Sequence, residues 1–254
     1  MASVYFIGAG PGDPELITVK GRRLIGEADL VLYAGSLVPP EVVACARADA
    51  RVEDSSSMTL EQTHDLLAET ARGGGTAARV HTGDPSLYGA VQEQARLLSR
   101  DGISWEIVPG VTAAFAAAAM AGESFTVPER VQSLVLTRAA GRTVVPDGEE
   151  LAAFAAHGCS IAIYLSTSLA RSVQDQLLGG GLPEETPVVV VHRAGWPDGE
   201  VLRTSVGALA RDVEHRQWTR QAVFLVLPGN REAGAPASKL YDATFAHGWR
   251  DSEG

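Results

Sequence analysis

Ser3-Val4-Tyr5-Phe6-Ile7-Gly8-Ala9-Gly10-Pro11-Gly12-Asp13-Pro14 is a strand-forming apolar run that breaks abruptly into glycine and proline. Ser3–Ile7 predicts a short strand, and the glycines predict a tight turn at its carboxyl end. After this turn, Ile17–Gly26 reads as a helix with Leu24 and Ile25 inward, and Leu30–Tyr33 as a second strand. A short helix at Val42–Ala46 follows Pro39-Pro40, then a third strand at Arg51–Glu53. Leu60, His64, Leu67 and Ala71 keep helical spacing until Gly73-Gly74-Gly75 stops them. Ala77–His81 is a fourth strand, Leu87, Val91, Ala95 and Leu98 form a helical face, Trp105–Val108 is a fifth strand, and Thr112–Met120 is a very apolar helix. Strands separated by helices of this length predict βαβ units and a mostly parallel sheet.

Gly122–Pro128 breaks the alternation and predicts a domain linker, giving domains at 1–121 and 128–228. In the second domain, strands are expected at Val131–Thr137, Ile161–Leu165, Pro187–Val191, Glu200–Thr204 and Ala222–Leu227. Helices are expected at Glu149–Ala156, along the Leu169, Val173, Leu177 face, and at Val206–His215. The fourth and third of these strands are joined through Gly195-Trp196-Pro197-Asp198-Gly199, which is hairpin chemistry, so this sheet is predicted to be mixed. Residues 229–254 are polar and small, and are expected to be a tail with little core of their own. The fold class is therefore α/β, with two α/β domains.

Composition narrows the function classes. With 254 residues, 45% of them hydrophobic, the chain buries a core without disulfide staples. Acids outnumber bases 31 to 21, for a formal charge of −10, which argues against general binding to a nucleic-acid backbone. The longest nearly apolar run, Val111–Gly122, is too short to span a bilayer, which takes roughly 20 residues. The opening residues have neither a basic start nor a long apolar stretch, so no signal peptide is expected, and two cysteines read as free thiols fit a cytoplasmic location. Cys45 and Cys159 have no metal-ligand neighbours at CxxC or CxxH spacing, no His pair has zinc-site spacing, and no metal is expected.

Three segments could carry chemistry, each directly after a strand of the first sheet. Gly8–Pro14 reads either as a plain tight turn or as a loop where bare backbone meets a ligand, with free N–H groups of the next helix behind it. A dinucleotide fingerprint fails here, because Asp13 stands where GxGxxG needs glycine and the second strand ends in Tyr33-Ala34-Gly35-Ser36 with no ribose-binding acid. In His81-Thr82-Gly83-Asp84-Pro85-Ser86-Leu87-Tyr88-Gly89, Asp84 either closes a turn or faces a ligand, and Ser86 is expected to cap the following helix. In Val108-Pro109-Gly110-Val111-Thr112-Ala113, Thr112 is a candidate N-cap. Ligands of open parallel sheets sit beyond the carboxyl ends of strands, so the three loops together point to one site.

Taken together, in order and spacing, these loops resemble the three signature segments of the tetrapyrrole methyltransferases, the class III S-adenosylmethionine-dependent enzymes. The resemblance spans residues 3–228. It implies two α/β domains with S-adenosylmethionine folded into the cleft between them, a tetrapyrrole as small-molecule substrate, and a homodimer. Tyr33-Ala34-Gly35-Ser36-Leu37-Val38 and the stretch Leu136–Pro146 are similar to the branch that methylates C11 of precorrin-4, by the aerobic or the anaerobic (cobalt) route. The branches that act on uroporphyrinogen III at C2 and C7, or that methylate C20 (of precorrin-2) or C17, look less similar there.

Position by position, the resemblance implies cofactor contacts at Pro11, Gly83, Asp84, Leu87, Thr112, Ala113, Leu165, Ala194 and Ala222. Leu165 replaces a methionine common in the family, a change of little consequence for an apolar contact. Ala194 stands where glycine is frequent. Asp84 and Ser36 are candidates for polar, catalytic roles near the reacting ring. Arginine clamps carboxylates bidentately, and a tetrapyrrole of this pathway carries several, so Arg138, Arg142 and Arg193 are candidates for substrate binding. His64 is expected to pack or lie at the surface, and the Ala113–Met120 helix to be a core or dimer helix. Two rival classes are a non-catalytic tetrapyrrole or adenosylmethionine sensor, for which no extra DNA-binding or kinase-like segment is present, and an NAD-binding protein.

Overall fold

The computed structural model describes residues 2–230, 238, 239, 244–246 and 248. They fall into two compact units. The first holds the described residues up to Ala116 together with Arg193–Gly199, and the second holds Ala117–His192 and the described residues from Glu200 onward. The expected tail, 229–254, lies mostly outside the described residues. Among the described residues no helix is long and apolar enough to cross a membrane.

The first unit alternates strand and helix. In chain order it contains β1 (Val4–Gly8), α1 (Val19–Glu27), β2 (Leu30–Tyr33), α2 (Pro40–Val43), β3 (Arg51–Asp54), α3 (Leu60–Arg72), β4 (Ala77–His81), α4 (Val91–Arg100) and β5 (Trp105–Val108). The division between the units falls within α5 (Ala113–Ala121). The strands run in the order β3-β2-β4-β1-β5, and every pairing is parallel. β1 is buried along its whole length, as a central parallel strand covered on both faces should be.

Local chemistry sets the helix starts. Thr18 caps α1 by accepting from the Gly21 N–H, and Thr59 and Gln62 form a reciprocal capping box on α3. α1 begins two residues later than Ile17, because Asp13 first caps a single turn of 3₁₀ helix at Pro14–Leu16. α4 corrects another expectation. It starts at Val91, with Ala90 as N-cap in the left-handed region and without a side-chain cap. Ser86 does not cap it, and Leu87 lies in the turn before it, because the Asp84 carboxylate captures Ser86 instead.

The two faces of this sheet explain where a ligand can sit. Leu24, Ile25, Val42 and Val43 of α1 and α2 pack with Tyr5, Ile7, Val31, Ala78 and Val80. Leu67, Ala68, Val91, Ala95 and Leu98 of α3 and α4 pack with Val4, Phe6, Leu30, Leu32 and Ala77 on the other face. The chain therefore leaves β1 and β2 toward one face and leaves β4, which lies between them, toward the other. In open parallel sheets a ligand binds at the carboxyl edge beside such a reversal of direction.

The second unit contains β6 (Leu134–Arg138), α6 (Leu151–Ala155), β7 (Ser160–Tyr164), α7 (Ala170–Gly179), β8 (Pro187–His192), β9 (Glu200–Ser205), α8 (Leu209–His215) and β10 (Ala222–Val226). Its order is β6-β7-β10-β8-β9. β6 and β7 are parallel and the other pairs antiparallel, so the sheet is mixed. β6 starts later than the expected Val131, because Val131 pairs back on Val127 in a small antiparallel bridge. Ile161, Ile163, Val188, Val190, Phe224 and Val226 form the centre of this unit's core with Leu151, Val173, Leu177 and Leu209.

Candidate functional site

The three glycine-containing loops meet backbone to backbone. A Cβ on Gly8 would stand 2.5 Å from the Gly110 Cα and 2.7 Å from the Gly83 carbonyl oxygen. One on Gly110 would stand 2.2 Å from the same oxygen and 2.7 Å from the Gly8 Cα. Main chain meets main chain here, so no side chain can move aside. Gly10 and Gly83 bridge the first two loops, with Gly83 N donating to Gly10 O at 2.7 Å and Gly10 N to Gly83 O at 3.2 Å. Gly83 has φ +63°, and a Cβ there would lie 3.7 Å from Thr112 Cα and 3.9 Å from Ala113 N. It would occupy the space between the second loop and the head of α5.

Asp84 fastens this arrangement. Its Oδ2 accepts from the Gly110 N–H at 2.9 Å, and its Oδ1 accepts from the Ser86 N–H at 2.8 Å and from the Ser86 hydroxyl. Burial opposes its ionisation, but the Ser86 hydroxyl and the N–H groups of Gly110 and Ser86 outweigh it and hold the carboxyl below the usual carboxylate range. Beyond Asp84 the loop is strained: Tyr88 (φ 57°) and Ala90 (φ 49°) are left-handed non-glycine residues, and the Gly89 Cβ position is blocked by the Pro85 carbonyl 2.4 Å away. Strain of this kind persists only where the surroundings over-determine it, and it clusters at functional sites. Across β4, Asp54 accepts from the Gly35 N–H at 2.8 Å and Ser55 Oγ donates to the Tyr33 carbonyl, which fixes the loop carrying Ser36. Ser36 itself is exposed.

The second sheet builds its own edge. The carboxyl ends of β6, β7 and β8 and the amino end of β10 lie on the same side, with Arg138 opposite Tyr164 and Ala222 opposite His192. Leu165 follows β7 in the left-handed region (φ 53°) and is 69% exposed, an unusual state for leucine. Ala222 is buried, its N–H bonded to Thr167 Oγ1 at 3.2 Å.

The family model of the tetrapyrrole (corrin/porphyrin) methylases matches residues 3–210. The chain belongs to this family. A precorrin-4 C(11)-methyltransferase of Pseudomonas aeruginosa is 47% identical over 252 residues, covering 99% of this chain and all of the relative. Among solved structures, a cobalt precorrin-4 methyltransferase described as a cobalamin biosynthetic enzyme superposes with a TM-score of 0.86 at 47% identity, covering 88% of this chain and 93% of the other. A uroporphyrin-III C-methyltransferase from Thermus thermophilus, complexed with S-adenosyl homocysteine, gives a TM-score of 0.72 at 28% identity, covering 89% and 97%.

In this methylase, Pro11, Gly83, Asp84, Leu87, Thr112, Ala113, Arg193 and Ala194 all belong to the first unit, and Leu165, Ala222, Arg138 and Arg142 to the second. The candidate arginines differ in their commitments. Arg138 clips its own loop, donating to the carbonyls of Ala139 (3.3 Å), Thr143 (3.0 Å) and Val144 (2.6 Å). Arg193 pairs with Asp198 at 2.8 Å and lies over the Trp196 ring. Arg142 is exposed. The helix N–H groups expected behind Gly8–Pro14 are diverted: Asp13 accepts from Glu15 N, and Thr18 from Gly21 N.

Sequence reading missed several residues of the methylase's loops. Gly8 and Gly110 stand inside motifs already noticed, but their role lies in touching one another. Trp196 lies in the hairpin connection between β8 and β9, as the sequence implies, but its contact with the first loop has no local signal. His81 is buried at the end of β4, its Nε2 without a hydrogen-bond partner. Burial, and then the neighbouring Arg79, push its pKa down to about 3. His64 packs as expected, its Nε2 3.0 Å from Asp101 Oδ2.

Proposed function

We propose that this methylase transfers the methyl group of S-adenosylmethionine to C11 of precorrin-4, giving precorrin-5 and S-adenosylhomocysteine in the building of the corrin ring of cobalamin. The observation that carries the reading is the 47% identity to a precorrin-4 C(11)-methyltransferase, sustained over 99% of this chain. The donor is supported by the family, by the relative complexed with S-adenosyl homocysteine, and by the bare-backbone loops. Those loops fit such a ligand, since the room at Gly83 is room that any side chain would fill.

Pro11, Gly83, Asp84, Leu87, Thr112, Ala113, Leu165, Ala194 and Ala222 are the residues proposed to hold the donor. When bound, its sulfonium supplies an already electrophilic methyl group, and the accepting ring carbon is enamine-like and electron-rich. The chain therefore needs no nucleophile of its own. Its work is orientation, which can be worth roughly 7–11 kcal/mol of barrier when two reactants are well aligned. Asp84 serves that work as an ionised clamp between the second and third loops, both oxygens being committed to N–H and O–H donors. Ser36 and the arginines Arg138, Arg142 and Arg193 are proposed to face the tetrapyrrole and its carboxylates. The protein is proposed to act in the cytoplasm as a homodimer, a reading supported by the apolar helix α5, on which Phe115 is 52% and Met120 42% exposed. Light scattering showing a 26.7 kDa particle at micromolar concentration would refute the dimer.

The decisive experiment incubates the protein with precorrin-4 and methyl-labelled S-adenosylmethionine. One label at C11 is expected, with uroporphyrinogen III and precorrin-2 unlabelled. A label at C2, C7 or C20 would sink the branch and leave the family intact. The structural match to a cobalt precorrin-4 methyltransferase favours a second reading, in which the substrate carries cobalt. A parallel arm with cobalt-precorrin-4 separates the two.

A further inference from the structure

We propose that Trp196 is the positioning residue of the first glycine loop, and that Arg193–Gly199 is built to hold it against that loop. The proposal rests on the reading of this loop as part of the S-adenosylmethionine site. The Trp196 indole Nε1 donates to the Pro11 carbonyl at 3.1 Å, across 185 residues of sequence. A Cβ on Gly12 would fall 2.4 Å from the indole Cδ1 and 2.6 Å from Nε1, so the ring edge lies directly on bare main chain. Gly195, with φ +79°, allows the approach: a side chain there would stand 2.9 Å from Pro11 Cγ and 3.2 Å from Asp13 N.

The indole is itself anchored. Trp196 N donates to the Arg193 carbonyl at 3.0 Å, and the Trp196 carbonyl accepts from Gly199 N at 3.0 Å. The Arg193 guanidinium lies 4.1 Å from the ring centroid, and Asp198 holds its Nε at 2.8 Å. Arg193 adopts φ 51° to do so, a conformation that costs free energy and persists only when the surroundings enforce it. A peptide group is planar, so a hydrogen bond that fixes the Pro11 carbonyl also fixes the direction of the Gly12 N–H. Trp196 thereby sets how the first loop presents its backbone, without itself touching the reacting atoms.

The test compares the wild-type protein with Trp196→Phe, which keeps an aromatic ring and loses the N–H donor, and Trp196→Ala, which loses both. Calorimetry with S-adenosylhomocysteine should show affinity lowered about fivefold in Trp196→Phe, the cost of one ordinary hydrogen bond. Trp196→Ala should lose more than Trp196→Phe. KM for S-adenosylmethionine should rise in step while KM for the tetrapyrrole stays within twofold. Wild-type affinity in Trp196→Phe would overturn the proposal, as would an equal rise in both KM values together with a lowered Tm, the pattern of a general structural defect. Should Trp196→Ala fail to fold, Trp196→Phe alone decides. A wild-type protein that does not bind S-adenosylhomocysteine would overturn the donor-site reading itself, a result distinct from an unaffected variant.

Discussion

Replacing Asp84 by asparagine separates its charge and second oxygen from its shape. In the wild-type protein its two oxygens receive three donors: Gly110 N–H on Oδ2, and the N–H and hydroxyl of Ser86 on Oδ1. Asparagine keeps one oxygen. Whichever way the amide turns, its NH₂ group faces a donor, either Gly110 N–H or the Ser86 pair. Losing a hydrogen bond to a charged acceptor costs about 1.5–3 kcal/mol. In a chain of this size, at about 2–4 °C per kcal/mol, that lowers Tm by ~3–12 °C. The function falls further, because the Gly110 N–H bond ties the third loop to the second, and a displacement of about 1 Å in a positioning element can cost ~100-fold in rate.

The same substitution has a pH signature. The Asp84 carboxyl is held below its ordinary value in the folded protein, so its contribution is fully present above the unfolded pKa of about 3.9 and is lost as pH falls through the lower folded value. The Tm gap between wild type and Asp84→Asn should be constant from pH 5 to 8, taken as roughly one unit above that unfolded pKa and beyond, and should close in more acidic buffer. Thermal melts followed by near-UV circular dichroism, with calorimetry for S-adenosylhomocysteine at neutral pH, measure both effects. An Asp84→Asn protein with wild-type Tm, affinity and turnover would refute the clamp.

Gly110→Ala places a Cβ 2.2 Å from the Gly83 carbonyl and 2.7 Å from the Gly8 Cα, and since both are backbone it should cost about 3 kcal/mol or more and abolish S-adenosylhomocysteine binding; a wild-type melt would contradict this. His81 is neutral when folded, with a pKa of about 3, while the unfolded chain takes up its proton below about 6.5, so wild-type stability should fall with acidification by up to about 1.4 kcal/mol per pH unit. His81→Leu should lack that slope between pH 6 and 4, a window set by those two pKa values, and parallel urea-melt profiles for the two proteins would count against it. Arg138→Ala releases the carbonyls of Ala139, Thr143 and Val144 and should lower Tm as well as raise KM for the tetrapyrrole. The exposed Arg142→Ala should raise that KM while stability stays within ~0.5 kcal/mol, as steady-state kinetics and melts would report.

Much of the architecture is written locally in the sequence. Apolar runs of strand length alternating with helical spacing place β1 to β5 within a few residues, because hydrophobic period and turn chemistry act over short distances. Glycine-rich segments at the ends of β1, β4 and β5 mark the edge at which a ligand would sit, and their order and spacing carry the family. The assembly of that edge is not local. Strand order β4-β1-β5 brings Gly8, Gly83 and Gly110 into backbone contact, since Gly8 is distant in sequence from both others and becomes their neighbour only when β1 pairs between β4 and β5. Ser86 reads as a helix cap until the folded loop gives its N–H and hydroxyl to Asp84, whose other oxygen takes the Gly110 N–H. Trp196 lies in the β8–β9 hairpin connection that the sequence implies, but only packing lays its indole on Pro11 and Gly12. Sequence determines which segments become strands, helices and turns because those preferences belong to single residues and near neighbours. Tertiary structure decides which loops interlock, because a hydrogen bond or a close main-chain contact depends on where two distant segments have been carried by everything between them.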